Sequence, residues 1–238
     1  MVRAPRKKSK KQELREDTVV TLYARVRMLY EEHRRWVLGI VGGVLALLLL
    51  GMVYSYFSQQ REEKANELLG PAIRLYEMGQ YQQALEGTSD QPGLLEIIEE
   101  YGNTRAGNLA RYYAGDAYYR MGDKEKALEY FESFRKEPNL LGAAAYAAEA
   151  AIYEDMGEYE KAAERYEKAA TIYENPALSP EYLMKAARNY AKAGKFEKAR
   201  RMYELLRERY PESSYAQAID LYLTQLEAME RSAQKQAR

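Results

Sequence analysis

The chain has 238 residues, with 36 Lys and Arg against 36 Asp and Glu, no cysteine and one histidine. The missing cysteines exclude disulfides and thiolate metal sites, and His33 lies near the N-terminus, so the rest of the chain lacks both the usual zinc ligands and the usual general base. The zero net charge hides an asymmetry: residues 1–35 hold 11 basic and 5 acidic side chains, leaving 25 and 31 for the remainder.

Met1–Gln12 is a Pro- and Lys-rich tail, a composition too polar to bury a core, and it is expected to be disordered. From Glu13 to Arg35, Val19, Leu22, Tyr23, Val26 and Tyr30 recur at three- and four-residue steps, which predicts an amphipathic helix. Its basic residues suit anionic headgroups and its apolar stripe suits another cytoplasmic helix; a segment that only sets topology has the same look.

Trp36 to Phe57 is a run of 22 residues without a charge. As a helix it rises roughly 33 Å, enough for a hydrocarbon core of about 30 Å, and only a helix satisfies its own backbone there. Basic flanks stay cytoplasmic, so the body is expected on the far side. A cleaved signal peptide is the rival reading, but its apolar region is shorter and ends at small residues. Here the run ends in Tyr54-Ser55-Tyr56-Phe57, an interfacial aromatic belt matched by Trp36 at the other end. Gly39 and Gly43 form a G-x-x-x-G that admits a second membrane helix, although glycine is common in such helices anyway.

The body then repeats itself. Gly79/Ala84, Gly122/Ala127, Gly157/Ala162 and Gly194/Ala199 share one spacing, and the glycines lie 43, 35 and 37 residues apart. In the last three, Tyr118, Tyr153 and Tyr190 stand four before the Gly, and Phe131, Tyr166 and Tyr203 four after the Ala. A period near 34 with this order is the tetratricopeptide pattern: Gly ends the first helix, Ala lets the second approach, and aromatics fill the gap to the next pair. The first repeat is degenerate, with Leu75 at the aromatic position and Gly70-Pro71 predicting a kink or break. Gly87–Gly93 reads as a loop and Leu94–Tyr101 as a short helix. Ser213–Glu230 carries Tyr215, Ala218, Ile219, Tyr222, Leu223 and Leu226 at helical spacing, a capping helix. The expected fold is all-α: a transmembrane helix, then an α-solenoid of about four helix pairs with a C-terminal cap. Its segments are 1–35 (basic, cytoplasmic), 36–57 (anchor), 61–230 (repeat domain) and 231–238 (flexible tail).

No G-x-S-x-G, Walker A loop or G-x-G-x-x-G occurs, and acidic residues such as Glu158, Glu160 and Glu164 are spaced as solvated helix faces. An enzyme, a cofactor, a nucleic-acid partner or a small-molecule substrate is not expected. Anchor, repeat body and length together resemble the ancillary SecYEG translocon subunit family of bacterial inner-membrane proteins. The resemblance is densest at Tyr101-Gly102-Asn103-Thr104-Arg105-Ala106-Gly107-Asn108-Leu109-Ala110 and Gly122–Leu128, while the long basic head departs from it. It implies a single-pass inner-membrane protein with a periplasmic body, and the translocon, nascent secretory polypeptides or periplasmic chaperones as partners. An envelope scaffold for cell division or outer-membrane assembly is the alternative; the basic head argues against an organelle import receptor with a cytosolic body.

In tetratricopeptide arrays the first helix of each pair lines the binding groove. Counting back from the repeat glycines gives Tyr112, Asp116, Tyr119 and Arg120; then Ala147, Ala151, Glu154 and Asp155; then Met184, Arg188 and Lys192. Tyr and Met suit a surface that accepts varied segments. Tyr112 and Tyr119 are equally suited to packing between repeats. Arrays that clamp a C-terminal carboxylate use Lys and Asn on the first helix of the leading repeat. Tyr112 and Asp116, or Leu69 and Ile73, stand there instead, so that activity is not expected.

Overall fold

A computed structural model describes residues 10–236, with side chains from Arg34 onward except Val37. The basic tail before Lys10, the stripe from Val19 to Tyr30 and His33 lie outside what is described at side-chain level. The described residues form eleven helices and no strand, with one isolated bridge between Gly87 and Pro92. They divide into a unit ending at Gln59 and a unit beginning at Gln60.

In the first unit, α1 (Lys10–Glu77) includes the apolar run, and every described side chain from Arg34 to Gln59 is exposed. By length and composition this helix is able to cross a membrane. Among the described residues, and leaving aside the adjacent backbone of α1 itself, nothing comes within 4 Å of a Cβ built on Gly39 or Gly43.

The second unit is built from the last part of α1 with α2 (Tyr81–Glu86), then α3 (Leu94–Tyr101), and three full pairs: α4 (Arg105–Arg120) with α5 (Lys124–Ser133), α6 (Leu140–Asp155) with α7 (Tyr159–Ile172), and α8 (Ser179–Lys192) with α9 (Phe196–Arg209). α10 (Ser214–Gln217) and α11 (Ile219–Gln236) close the end. Each repeat alanine, Ala84, Ala127, Ala162 and Ala199, is fully buried, because a methyl group is all that fits where paired helices meet. Phe131, Tyr166 and Tyr203 fill the space beyond, and all three are buried.

The turns inside the pairs are chemically identical. Gly122 takes φ 86, its N–H donates to the Tyr119 carbonyl at 3.0 Å, and the Asp123 N–H donates to the Tyr118 carbonyl at 3.0 Å. Those two bonds define a Schellman cap, which needs a left-handed residue. The same pair of bonds recurs at Gly79, Gly157 and Gly194.

One further repeat feature is absent from the sequence reading. Lys126, Lys161 and Lys198, each four residues after a repeat glycine, sit 5.0, 5.4 and 5.2 Å from the ring centres of Tyr118, Tyr153 and Tyr190. The degenerate first repeat has Leu75 and Gln83 at these positions and lacks both partners.

Two expectations need correction. α1 runs through Gly70-Pro71 to Glu77 without a break. Leu69 and Ala72 on either side are buried against α2, α3 and α4, and that packing offsets the hydrogen bond the proline removes. The cap is two helices instead of one. Ser213 accepts from Ala216 N at 3.2 Å to start α10, Ala218 ends it, and α11 continues past Glu230 to Gln236, through residues that favour helix. The loop after α2 and the boundaries of α3 fall as read from the sequence.

Candidate functional site

The first helices of the pairs, α4, α6 and α8, carry the residues that sequence counting assigns to the groove. Each enters through a side-chain cap or a proline. Thr104 accepts from Gly107 N and Asn139 from Gly142 N, both at 2.9 Å, and Pro180 stands in the first turn of α8. Gly107 and Gly142 are forced by contact: a Cβ there would lie 2.0 Å from the carbonyl oxygens of Tyr101 and Glu137. Asn108 then binds the next connection reciprocally, donating to Arg135 O at 3.1 Å and accepting from Arg135 N at 2.8 Å. The junction that stood out in the sequence is thus a splice holding consecutive pairs in register.

The polar groove residues form cross-links between neighbouring repeats. The Tyr76 hydroxyl donates to Asp116, and the Arg120 guanidinium donates to Asp116 at 2.5 Å and to the Tyr76 oxygen at 3.2 Å. Burial first, then the bond to Asp116 and its charge, push the Tyr76 hydroxyl up to about 12. One repeat on, the Tyr119 hydroxyl donates to Asp155 at 3.2 Å, and Lys124 pairs with Asp155 at 3.5 Å. At the next junction Glu154 accepts from Lys192 at 2.7 Å and from the Asn189 amide at 3.1 Å. Burial pulls the Glu154 carboxyl upward, but the bonds from Lys192 and Asn189 outweigh it and hold the carboxyl below its ordinary value.

Several counted residues therefore have internal work. Tyr112 is half-buried against Phe131 and Phe134, with ring centres 5.6 and 5.7 Å away. Met184 is 4 % exposed and belongs to the core cluster with Leu183 and Ala187, so it presents little to a ligand although it shares a helix row with the exposed Arg188 and Lys192. Ala147 and Ala151 are half-buried. Arg188 and Lys192 do reach the open surface, where they line a cleft of about 440 Å³ with Tyr203, Tyr222, Leu226 and Met229. Sequence counting missed Tyr76 and Asn189. Tyr76 stands three residues before Gly79, the offset that Tyr119 has from Gly122, and its bond to Asp116 repeats the Tyr119–Asp155 bond, so extending the count to the degenerate first repeat finds it. Asn189 has no polar counterpart at its offset in the other full pairs, where Ala117 and Ile152 stand.

Away from this face, Glu149 is 1 % exposed and pairs with Lys136 at 2.6 Å and Arg165 at 2.9 Å, joining the α5–α6 connection to α7. Burial raises its carboxyl above the ordinary value despite both cations. Among the described residues no cluster of His, Cys, Asp and Glu is arranged to hold a metal.

Residues 109–139 and 181–213 match one tetratricopeptide-repeat family model, and residues 145–178 match a second. The chain carries tetratricopeptide repeats. The matched segments are the three full pairs; the pair formed by α1 and α2 lies outside them. Among solved structures, the array is similar to the kinesin light chain nearly identical TPR-like repeats of Podosopora anserina and to a single-substitution variant of that protein. Each likeness has a TM-score of 0.50 and 18% identity, and covers 73% of this chain and 90% of the other. At that identity the likeness concerns the fold alone. No curated protein matches the chain. Tetratricopeptide repeats make the body a protein–protein interaction scaffold.

Proposed function

We propose that this scaffold is non-catalytic, anchored in the bacterial inner membrane by residues 36–57, and holds translocated polypeptides or periplasmic chaperones beside the protein translocon. The observation that carries this reading is the coupling of one uncharged, fully exposed helical run to a tetratricopeptide array. The basic head supports a cytoplasmic N-terminus and a periplasmic body. The resemblance in the Tyr101–Ala110 and Gly122–Leu128 segments supports the translocon as neighbour. Anchoring raises the effective concentration of the groove at the exit site, so weak single contacts suffice. Gly39 and Gly43 are the proposed contact to a second membrane helix.

Protease added to spheroplasts of a bacterium expressing the chain should digest the body and spare the basic head. Purification in mild detergent should recover translocon subunits, and Gly43→Leu should weaken that recovery. A body protected from protease, or co-purification of a fixed set of division or outer-membrane assembly proteins without the translocon, contradicts the proposal.

A further inference from the structure

We propose that the cleft walled by α8, α9 and α11 is a subsite for an acidic side chain flanked by an apolar one, on a polypeptide lying along the groove. The inference rests on the polypeptide-holding reading above and names what one end of the groove selects. Its basis is the charge balance. Along the face the carboxylates are matched internally: Asp116 by Arg120, Asp155 by Lys124, and Glu154 by Lys192. Arg188 is the exception. It is exposed, lines the cleft, and has no hydrogen bond or ion pair among the described residues. The end of the groove thus carries Arg188 and Lys192 against the single carboxylate of Glu154, one cation in excess.

The surroundings of that cation are apolar and well defined. Tyr203 and Tyr222 stack with ring centres 5.9 Å apart and planes 9° apart, Leu226 is buried, and Met229 is 44% exposed at the rim. A guanidinium offers a planar fork to a carboxylate, and a thioether rim adapts to different apolar side chains. An acidic residue next to an aromatic or aliphatic one meets both features at once. The cleft continues the face carried by α6 and α8, so a polypeptide running along that face brings side chains to it, in preference to a chain end.

The test uses the full chain in detergent and fluorescence anisotropy of a short, C-terminally amidated peptide of alternating Glu and Phe. The wild type should bind it, more weakly as salt rises. Arg188→Gln breaks no hydrogen bond or ion pair, removing only its longer-range charge beside Glu154 and Tyr203, and should weaken binding about tenfold or more, the worth of a charge-assisted bond. Arg188→Lys should recover part of the loss, keeping the charge without the fork. Met229→Glu should weaken binding through like charge at the rim, and Lys168→Gln, outside the cleft, should change nothing. Equal affinity of the Arg188→Gln protein overturns the subsite. Binding confined to a Gln/Phe peptide with a free C-terminal carboxylate also overturns it, because the chain end is then the ligand. Peptide binding that ignores Arg188 but falls with Tyr119→Ala removes the subsite and leaves the polypeptide-holding reading intact; no binding of any peptide removes both.

Discussion

Glu149, Lys136 and Arg165 show how much a single buried charge constrains this array. With Glu149 1 % exposed and Lys136 8 % exposed, neither charge has water as a substitute partner. Glu149→Ala leaves the ammonium buried and uncompensated, and chemical denaturation should report a loss of about 3–5 kcal/mol; a loss below about 1 kcal/mol contradicts the geometry. Glu154 makes the opposite statement about pH. Its carboxyl is held below the ordinary 4.5, so its contribution is complete above that pH and is lost as pH falls through the lowered folded value. The gap in urea midpoint between wild type and Glu154→Gln should therefore shrink on acidification below about 4.5, and a gap constant with pH counts against the bonds from Lys192 and Asn189. Glu149 was not singled out from the sequence, where it looks like any helix carboxylate, and Glu154 was counted among the groove positions but its bonds were not, because the partners of both come from other helices.

At the scale of elements, legibility followed periodicity. The helix pairs were readable because Gly, Ala and the aromatics recur with fixed offsets, and each offset has one structural cause. Where a residue obeyed a local rule but sat in a packed environment, the local rule lost: Pro71 stays inside α1 because Leu69 and Ala72 are buried beside it. Met184 is buried for a related reason: it stands at the same offset from its glycine as the half-buried Tyr112 and Ala147, but it is packed into the core cluster with Leu183, Ala187 and Tyr190, which the count from the turn does not register. The turn glycines are constrained by dihedral and not by space. Gly157 has φ 79 and nothing within 4 Å of a built Cβ. Gly157→Ala should cost roughly 1–2 kcal/mol in denaturant melts, and Gly157→Asn less. Gly142→Ala, where the new Cβ would lie 2.0 Å from the Glu137 carbonyl oxygen, should cost more than Gly157→Ala. Equal costs would show that the close approach at α6 yields freely.

At the scale of the whole molecule, two parts of very different chemistry share one chain. The first is a helix whose described side chains from Arg34 to Gln59 are all exposed. The second is a tetratricopeptide array whose groove face is cross-linked from repeat to repeat by Tyr76–Asp116–Arg120, Tyr119–Asp155 and Glu154–Lys192. Such links fix the spacing of neighbouring repeats. The architecture was legible from hydropathy and repeat spacing. The partner was not, because a protein-contact surface leaves no catalytic or coordination signature in the residues that form it. The claim that this face holds polypeptides is met most directly by photo-crosslinking in intact cells from a benzophenone amino acid at position 119, with one at Lys168 as reference. The account predicts mass-spectrometric identification of translocated polypeptides, their chaperones or translocon subunits from position 119 and a much weaker yield from 168; equal yields from both positions, or none from 119, would contradict it.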